Sequence, residues 1–188
     1  MPAPFVLSIQ SEVVYGHVGQ GAARFALQIL GFEVLSLPTV LLSNHPGHGP
    51  PQGETIPADK LRALLRGLAA RGLFKETVAI LSGYLGEAAH AAVVAEAVAM
   101  VRRENPKTIY LCDPVFGDDG GAYAKLGVAE AMARDLIPIA DIVTPNRFEM
   151  VSLTARQISD PTSAVSAARA LARPETVVTS VPLDGEQL

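Results

Sequence analysis

Short runs of β-branched and aliphatic residues alternate along this chain with longer stretches rich in Ala, Leu, Met, Glu and Arg. Phe5–Ile9, Glu33–Leu42, Thr77–Leu81, Thr108–Cys112, Ile139–Val143 and Thr176–Thr179 have the length and composition of strands. Between them, Ala22–Leu30, Ala58–Arg71, Glu87–Arg103, Val128–Leu136 and Thr162–Ala172 repeat apolar residues three and four positions apart, which predicts helices with one buried face. This alternation predicts an α/β fold with a parallel sheet, because the helices provide the crossovers and cover the sheet. Boundary residues agree: Pro57 precedes one predicted helix, Pro106 follows another, and Asp160-Pro161-Thr162 reads as a capped start with proline in the first turn. Ser43–Pro57 is rich in Gly and Pro and has neither period. It is expected to be a loop, either a binding flap or an exposed connection.

Open α/β sheets bind ligands beyond the carboxyl ends of their parallel strands, where loops converge. The polar clusters fall at those predicted ends: Ser8–Ser11, Ser43–His45, Ser82–Tyr84, Asp113–Asp119, Thr144–Glu149 and Thr179–Ser180. One composite site is therefore expected along one edge of the sheet.

Composition narrows the ligand. The 188 residues are nearly half apolar, enough for one domain with a substantial core, and this excludes a disordered chain. A formal charge of −4, with basic residues scattered apart from Arg102–Arg103, gives no positive field for nucleic acid. Small neutral or metal-masked substrates fit better. Cys112 is the only cysteine; it sits in an apolar run and reads as a buried small hydrophobe in a reducing compartment. The start MPAPFVLSIQ lacks the basic region and long apolar stretch of a secretory signal, and no run reaches membrane-spanning length without polar interruption. A cytoplasmic protein with no membrane partner is expected.

Four motifs carry candidate chemistry. SIQSEVVYGHVGQGAA puts a serine-bearing turn after the first strand and then Gly16, Gly19 and Gly21 before a helix, where backbone can approach a ligand. Its spacing is not the dinucleotide fingerprint, and a packing role accounts for it equally well. CDPVFGDDGG takes Asp113 out of a buried strand and sets Asp118 and Asp119 beside glycines. Carboxylates there suit magnesium, which binds one or two of them together with substrate phosphates, although a solvated acidic turn has the same composition. In TPNRFE, Asn146 and Glu149 share a face of a helical first turn. Glu149 there either complements the helix dipole or works with Asp118 around a magnesium–phosphate group. VVTS offers the Thr179 and Ser180 hydroxyls. His17, His45, His48 and His90 lack the spacing of a zinc site, and no Gly-x-Ser-x-Gly turn is present.

Taken together, SIQSEVVYGHVGQGAARFALQILGFEV, LLSNHPG, LSGY, CDPVFGDDG, DIVTPNRFE and VVTS resemble, in order and spacing, the pyridoxal kinases of the ribokinase-like superfamily. The resemblance covers essentially the whole chain. It implies a ribokinase-like three-layer α/β sandwich with a mostly parallel central sheet, and phosphoryl transfer from ATP to the 5′-hydroxyl of pyridoxal, pyridoxine or pyridoxamine. By motif, Ser11 resembles the pyridine-ring contact, and His45 and Tyr84 resemble residues flanking the vitamin. Asp113, Asp118, Tyr123, Asn146, Glu149, Thr179 and Ser180 resemble the ATP side. Asp118 and Glu149 lie where relatives hold magnesium, and Asp113 and Thr144 where they hold a monovalent cation such as potassium. A homodimer is also implied.

The family's later Gly-Thr-Gly-Asp-like turn, which supplies the catalytic aspartate and backbone donors for the phosphate, has no match in these residues, so no catalytic base is assigned. The expectation is a single ribokinase-like domain over residues 1–188 that lacks its C-terminal elements and is marginally stable alone. Glu12, Gln20 and Pro46 depart from the family's frequent histidine, asparagine and threonine. Two other readings stay open: a non-catalytic homologue that binds ligand or dimerises, and a hydroxymethylpyrimidine kinase sharing the DPV and TPN themes.

Overall fold

The computed structural model describes residues 3–182. In chain order they form β1 (Phe5–Tyr15), α1 (Gln20–Ile29), β2 (Glu33–Asn44), β3 (Gly53–Thr55), α2 (Ala58–Ala70), β4 (Thr77–Ser82), α3 (Ala89–Glu104) and β5 (Ile109–Cys112). There follow β6 (Gly117–Asp118), β7 (Gly121–Ala122), α4 (Val128–Ala131), β8 (Ile142–Val143), α5 (Arg147–Thr154), α6 (Pro161–Leu171) and β9 (Glu175–Thr176).

A seven-stranded sheet has the order β3-β2-β1-β4-β5-β8-β9, and β6 and β7 form a separate hairpin. Every pairing in the large sheet is parallel except β2 with β3. Helices cover both sides, as the alternation predicts. Helix α3 illustrates the cause. His90, Val93, Val94, Ala97, Val98 and Val101 are all buried and recur every three or four residues, so a single stripe faces the sheet. That stripe meets Leu7 and Ile9 of β1, Ile80 of β4, Tyr110 and Cys112 of β5 and Leu61 and Leu65 of α2 in one continuous core. Cys112 is buried there as the apolar run implies. A smaller cluster of Met150, Ile158, Ala164 and Ala167 joins α5 to α6.

The strand order reverses between β1 and β4: β2 lies on one side of β1, and the later strands extend on the other. Such a switch point opens a crevice at the strand ends, because the chain leaves adjacent strands in opposite directions. Pairing of β1 with β4 ends at Ile9 and Ser82, whereas β1 continues against β2 as far as Tyr15 and Asn44. A ribbon of β1, β2 and β3 thus runs on beyond the end of β4.

That ribbon corrects two expectations. Ser8–Ser11 lies within a strand rather than after one, and Ser43–Pro57 is not an unstructured loop. The latter holds the end of β2, a short 3-10 turn at Pro46–His48 and the edge strand β3. Strand β3 escapes the periodicity test because three residues are too few to display one. Residues 139–141 are not strand either: Ile137–Ile139 closes a 3-10 turn, and the strand begins at Ile142. The helix predicted over Val128–Leu136 changes to a π turn at Met132–Leu136. At the end of the described chain, β9 covers Glu175–Thr176 and Thr179 makes an isolated parallel bridge to Asn146.

Candidate functional site

At the switch point, the site is built on β1. The register between β1 and β2 shifts between Gln10 and Glu12, an irregularity that re-aims the strand at Ser11. Ser11 is buried, as are Ser8 and Gln10 beside it. The Gln10 amide donates to Ser8 Oγ at 2.8 Å, and the Gln20 amide donates to the Ser8 carbonyl at 2.8 Å, tying the start of α1 beneath this turn. Gly19 approaches Ser11 so closely that a β-carbon on it would lie 2.2 Å from the Ser11 carbonyl oxygen and 2.4 Å from Oγ. Its φ of 55° and ψ of −131° suit glycine as well. The glycine in this motif is therefore required by close packing against Ser11.

His45 caps the 3-10 turn, its Nδ1 accepting from the Gly47 N–H at 3.2 Å. Pro46 occupies the first position of that turn, where a missing N–H costs nothing. Asn44 holds the turn closed by donating to the Gly49 carbonyl at 2.8 Å. Across the crevice, Thr39 Oγ1 donates to the Tyr84 carbonyl at 2.7 Å and fixes the backbone that carries the Tyr84 ring. Glu12 pairs with Arg24 at 3.0 Å, so its departure from the family pattern has a partner on α1.

The second half gathers around the start of α5. Asn146 caps this helix through a reciprocal box: its side chain accepts from the Glu149 N–H, and Glu149 accepts from the Asn146 N–H, each at 2.9 Å. The other Glu149 oxygen accepts from the Phe116 N–H at 3.1 Å, and Asn146 donates to the Gly117 carbonyl at 2.8 Å. These bonds fasten the β6–β7 hairpin onto α5. Gly117 is needed for that approach, since a β-carbon there would lie 2.3 Å from Phe148 Cε1. Glu149 is only 2% exposed. Burial pushes its carboxyl up to about 7 even though the Asn146 and Phe116 N–H groups favour the charged form. Burial likewise raises Asp113, against the opposing effect of Thr144 Oγ1, which donates to it at 2.9 Å.

Asp118 stands exposed on the hairpin, one oxygen accepting from the Gly120 N–H at 2.8 Å. It lines a cavity of about 320 Å³ together with Asp119, Gly120, Asn146, Arg147, Phe148 and Ser180. Ser180 holds a left-handed φ of 56°, a strained conformation for a residue with a side chain. Tyr123 is half exposed, and its phenol is pushed up to about 12 by burial and by the nearby Glu149, Asp118, Asp113 and Tyr84. Among the described residues no group of three His, Cys, Asp or Glu side chains gathers as a metal cluster. The predicted residues divide, then, into Ser11, His45 and Tyr84 at the switch point and Asp113, Asp118, Asn146, Glu149, Thr179 and Ser180 farther along the same sheet edge. Thr39 carried no sequence signal that set it apart from an ordinary strand residue, and Gln10 and Arg147 lay inside the expected polar clusters without being singled out.

A profile of the phosphomethylpyrimidine kinase family matches residues 70–187. Pyridoxal kinase PdxY of Corynebacterium diphtheriae is 43% identical over 180 residues, covering 94% of this chain and 64% of its own length. The chain belongs to the pyridoxal kinase family. Pyridoxal kinase PdxY of Deinococcus radiodurans is 45% identical over 167 residues, covering 88% of this chain and 56% of its own length. The chain thus spans less than two thirds of the length of these curated relatives. The solved pyridoxal kinase of Leishmania donovani in complex with ADP and pyridoxamine superimposes with a TM-score of 0.91 at 36% identity, over 97% of this chain and 66% of that one. The ribokinase-like fold expected from the motifs is the fold of these kinases.

Proposed function

We propose that the protein acts in vitamin B6 salvage as a pyridoxal kinase, transferring the γ-phosphoryl group of ATP to the 5′-hydroxyl of pyridoxal, pyridoxine or pyridoxamine. The observation that carries this reading is the order of the strand ends at the switch point. Ser11 lies where β1 outruns β4 and Tyr84 just beyond β4, while Asp113 and Thr144 directly follow the neighbouring parallel strands β5 and β8, which supports one cleft running along that edge of the sheet. Phosphoryl transfer needs such a cleft, because it depends on holding donor and acceptor in line and stabilising charge. Ser11 would contact the pyridine ring, with His45 and Tyr84 flanking it. Asp113, Asp118, Tyr123, Asn146, Glu149, Thr179 and Ser180 would hold the nucleotide.

Magnesium fits the donor set: Asp118 is an exposed carboxylate on the cavity wall, and magnesium needs only one or two carboxylates beside phosphate and water. Glu149 oxygens already accept backbone N–H groups, which leaves them further lone pairs for a metal-bound water. When bound, magnesium offsets phosphate repulsion. Asp113 and Thr144, already in contact, suit potassium. A cytoplasmic setting is proposed; among the described residues no helix is long and apolar enough to cross a membrane.

The homodimer has a physical candidate in α1. Phe25 and Ile29 are 68% and 69% exposed, and Leu30 just beyond the helix is 72% exposed. With exposed Ala22 and Ala26 they form an uncharged stripe at helical spacing, in which alanines beside large side chains can interlock with a second copy. Phe25→Glu should convert a dimer to monomer in analytical ultracentrifugation.

The central test incubates the purified chain with pyridoxal, ATP and magnesium and follows pyridoxal 5′-phosphate, with binding of each ligand measured separately. Saturable binding of both pyridoxal and Mg-ATP supports the reading, and magnesium-dependent product establishes turnover. Preference for hydroxymethylpyrimidine over pyridoxal in direct competition would overturn it.

A further inference from the structure

Arg147 opens α5, and its guanidinium Nη2 contacts Asp119 Oδ1 at 2.7 Å. A cation at that position is electrostatically misplaced, because the first turn of a helix carries partial positive charge and favours acidic side chains. Helix stability alone gives Arg147 no reason to be there. The pair is also weak as a stabilising element: its side chains are 34% and 58% exposed, and exposed ion pairs contribute little.

What distinguishes Arg147 is its cavity. Among the described residues lining the 320 Å³ space, it alone carries a positive charge, facing Asp118, Asp119, Asn146 and Ser180. Resting on the nucleotide-site reading above, we propose that Arg147 is a polyphosphate-binding residue, held in place by Asp119 and transferred to the nucleotide's phosphates when they enter. The exchange replaces one anionic partner with another. The planar guanidinium can grip two phosphate oxygens at once, which a solvated carboxylate pair at the rim does not match. Asp119 is then a positioning residue that keeps the cation aimed at the cavity and competes with the phosphates for it.

The test measures affinities of the full 188-residue chain and its variants for Mg-ATP and for adenosine by titration calorimetry, with melting temperatures as a folding check. Arg147→Gln should weaken Mg-ATP about tenfold and leave adenosine unchanged, since only the phosphates lose a charged partner. Arg147→Lys should fall between, retaining charge without the fork. Asp119→Asn should tighten Mg-ATP about threefold by releasing Arg147. That gain should vanish in an Arg147→Gln background, because a general charge effect of Asp119 would survive there. Unchanged Mg-ATP affinity in Arg147→Gln, or an equal loss for adenosine, overturns the proposal and leaves the nucleotide site standing. Weaker Mg-ATP binding in Asp119→Asn overturns the competing role and puts Asp119 on the metal side. A wild-type chain that binds neither ligand overturns the nucleotide-site reading and this proposal with it.

Discussion

The two halves of the cleft are held in shape by different means. The switch-point half relies on backbone fit: the β1 irregularity at Ser11, the close approach of Gly19 and the hydrogen-bonded Pro46–His48 turn. The acidic half relies on a polar network, in which the capping box of Asn146 and Glu149 extends to Phe116 and Gly117. The proposed vitamin, a neutral planar ligand, would be held by shape, so steric precision would suffice there. In the proposed function, a phosphate group with its metal would need charges kept apart, and a buried, hydrogen-bonded carboxylate such as Glu149 would do this. One half should therefore fail by steric change and the other by loss of hydrogen-bond acceptors.

Glu149→Ala breaks the comparison hardest. It strands the N–H groups of Phe116 and Asn146 in a buried setting and should cost about 3 kcal/mol, read by urea denaturation, while abolishing Mg-ATP binding. Gly19→Ala tests the opposite half. A β-carbon 2.2 Å from the Ser11 carbonyl must displace that turn, so pyridoxal should bind at least about tenfold more weakly with Mg-ATP unaffected. If both ligands weaken equally, the halves are not separately constructed.

The pH dependence of stability sharpens the contrast by a smaller amount. Glu149 titrates near 7 in the folded chain against an ordinary 4.5. Between those values the folded state keeps a proton that the unfolded chain has released. Its contribution is therefore present at the acid end and is lost as pH rises toward the folded value, on the order of 1 kcal/mol per pH unit. Denaturation midpoints across that window should show the slope in the wild type and lose it in Glu149→Gln. Smallest of all, Glu12→Gln removes a half-exposed ion pair with Arg24 and should change stability by less than about 1 kcal/mol.

Much of the α/β alternation was legible because period and length separate helices from strands when segments are long. Helix α3, with its stripe from His90 to Val101, lies within one or two residues of its predicted bounds. Strand β3 and the β6–β7 hairpin were not legible, since two or three residues cannot display a period. Helix α5 was anticipated only at its first turn, through the spacing of Asn146 and Glu149; its mixed composition has no clean apolar face. Asp113 and Thr144 follow β5 and β8 directly as their motifs predicted, whereas Ser11 lies inside β1, and Arg147 was not singled out within its motif. Its significance depends on facing Asp119, which is distant in sequence.

The sequence by itself determined the family, the alternation of elements and the residue types available for chemistry, because these reside in local pattern and motif order. Tertiary structure alone decided how far β1 runs past β4, why Gly19 must be glycine, and that Glu149 is a buried cap as well as an acid. Each of these depends on groups brought together from different elements: the end of β1 on β2, Gly19 on Ser11, Glu149 on Phe116. Burial and close approach arise only when the sheet is assembled, and they give two stretches of polar residues different physical constraints.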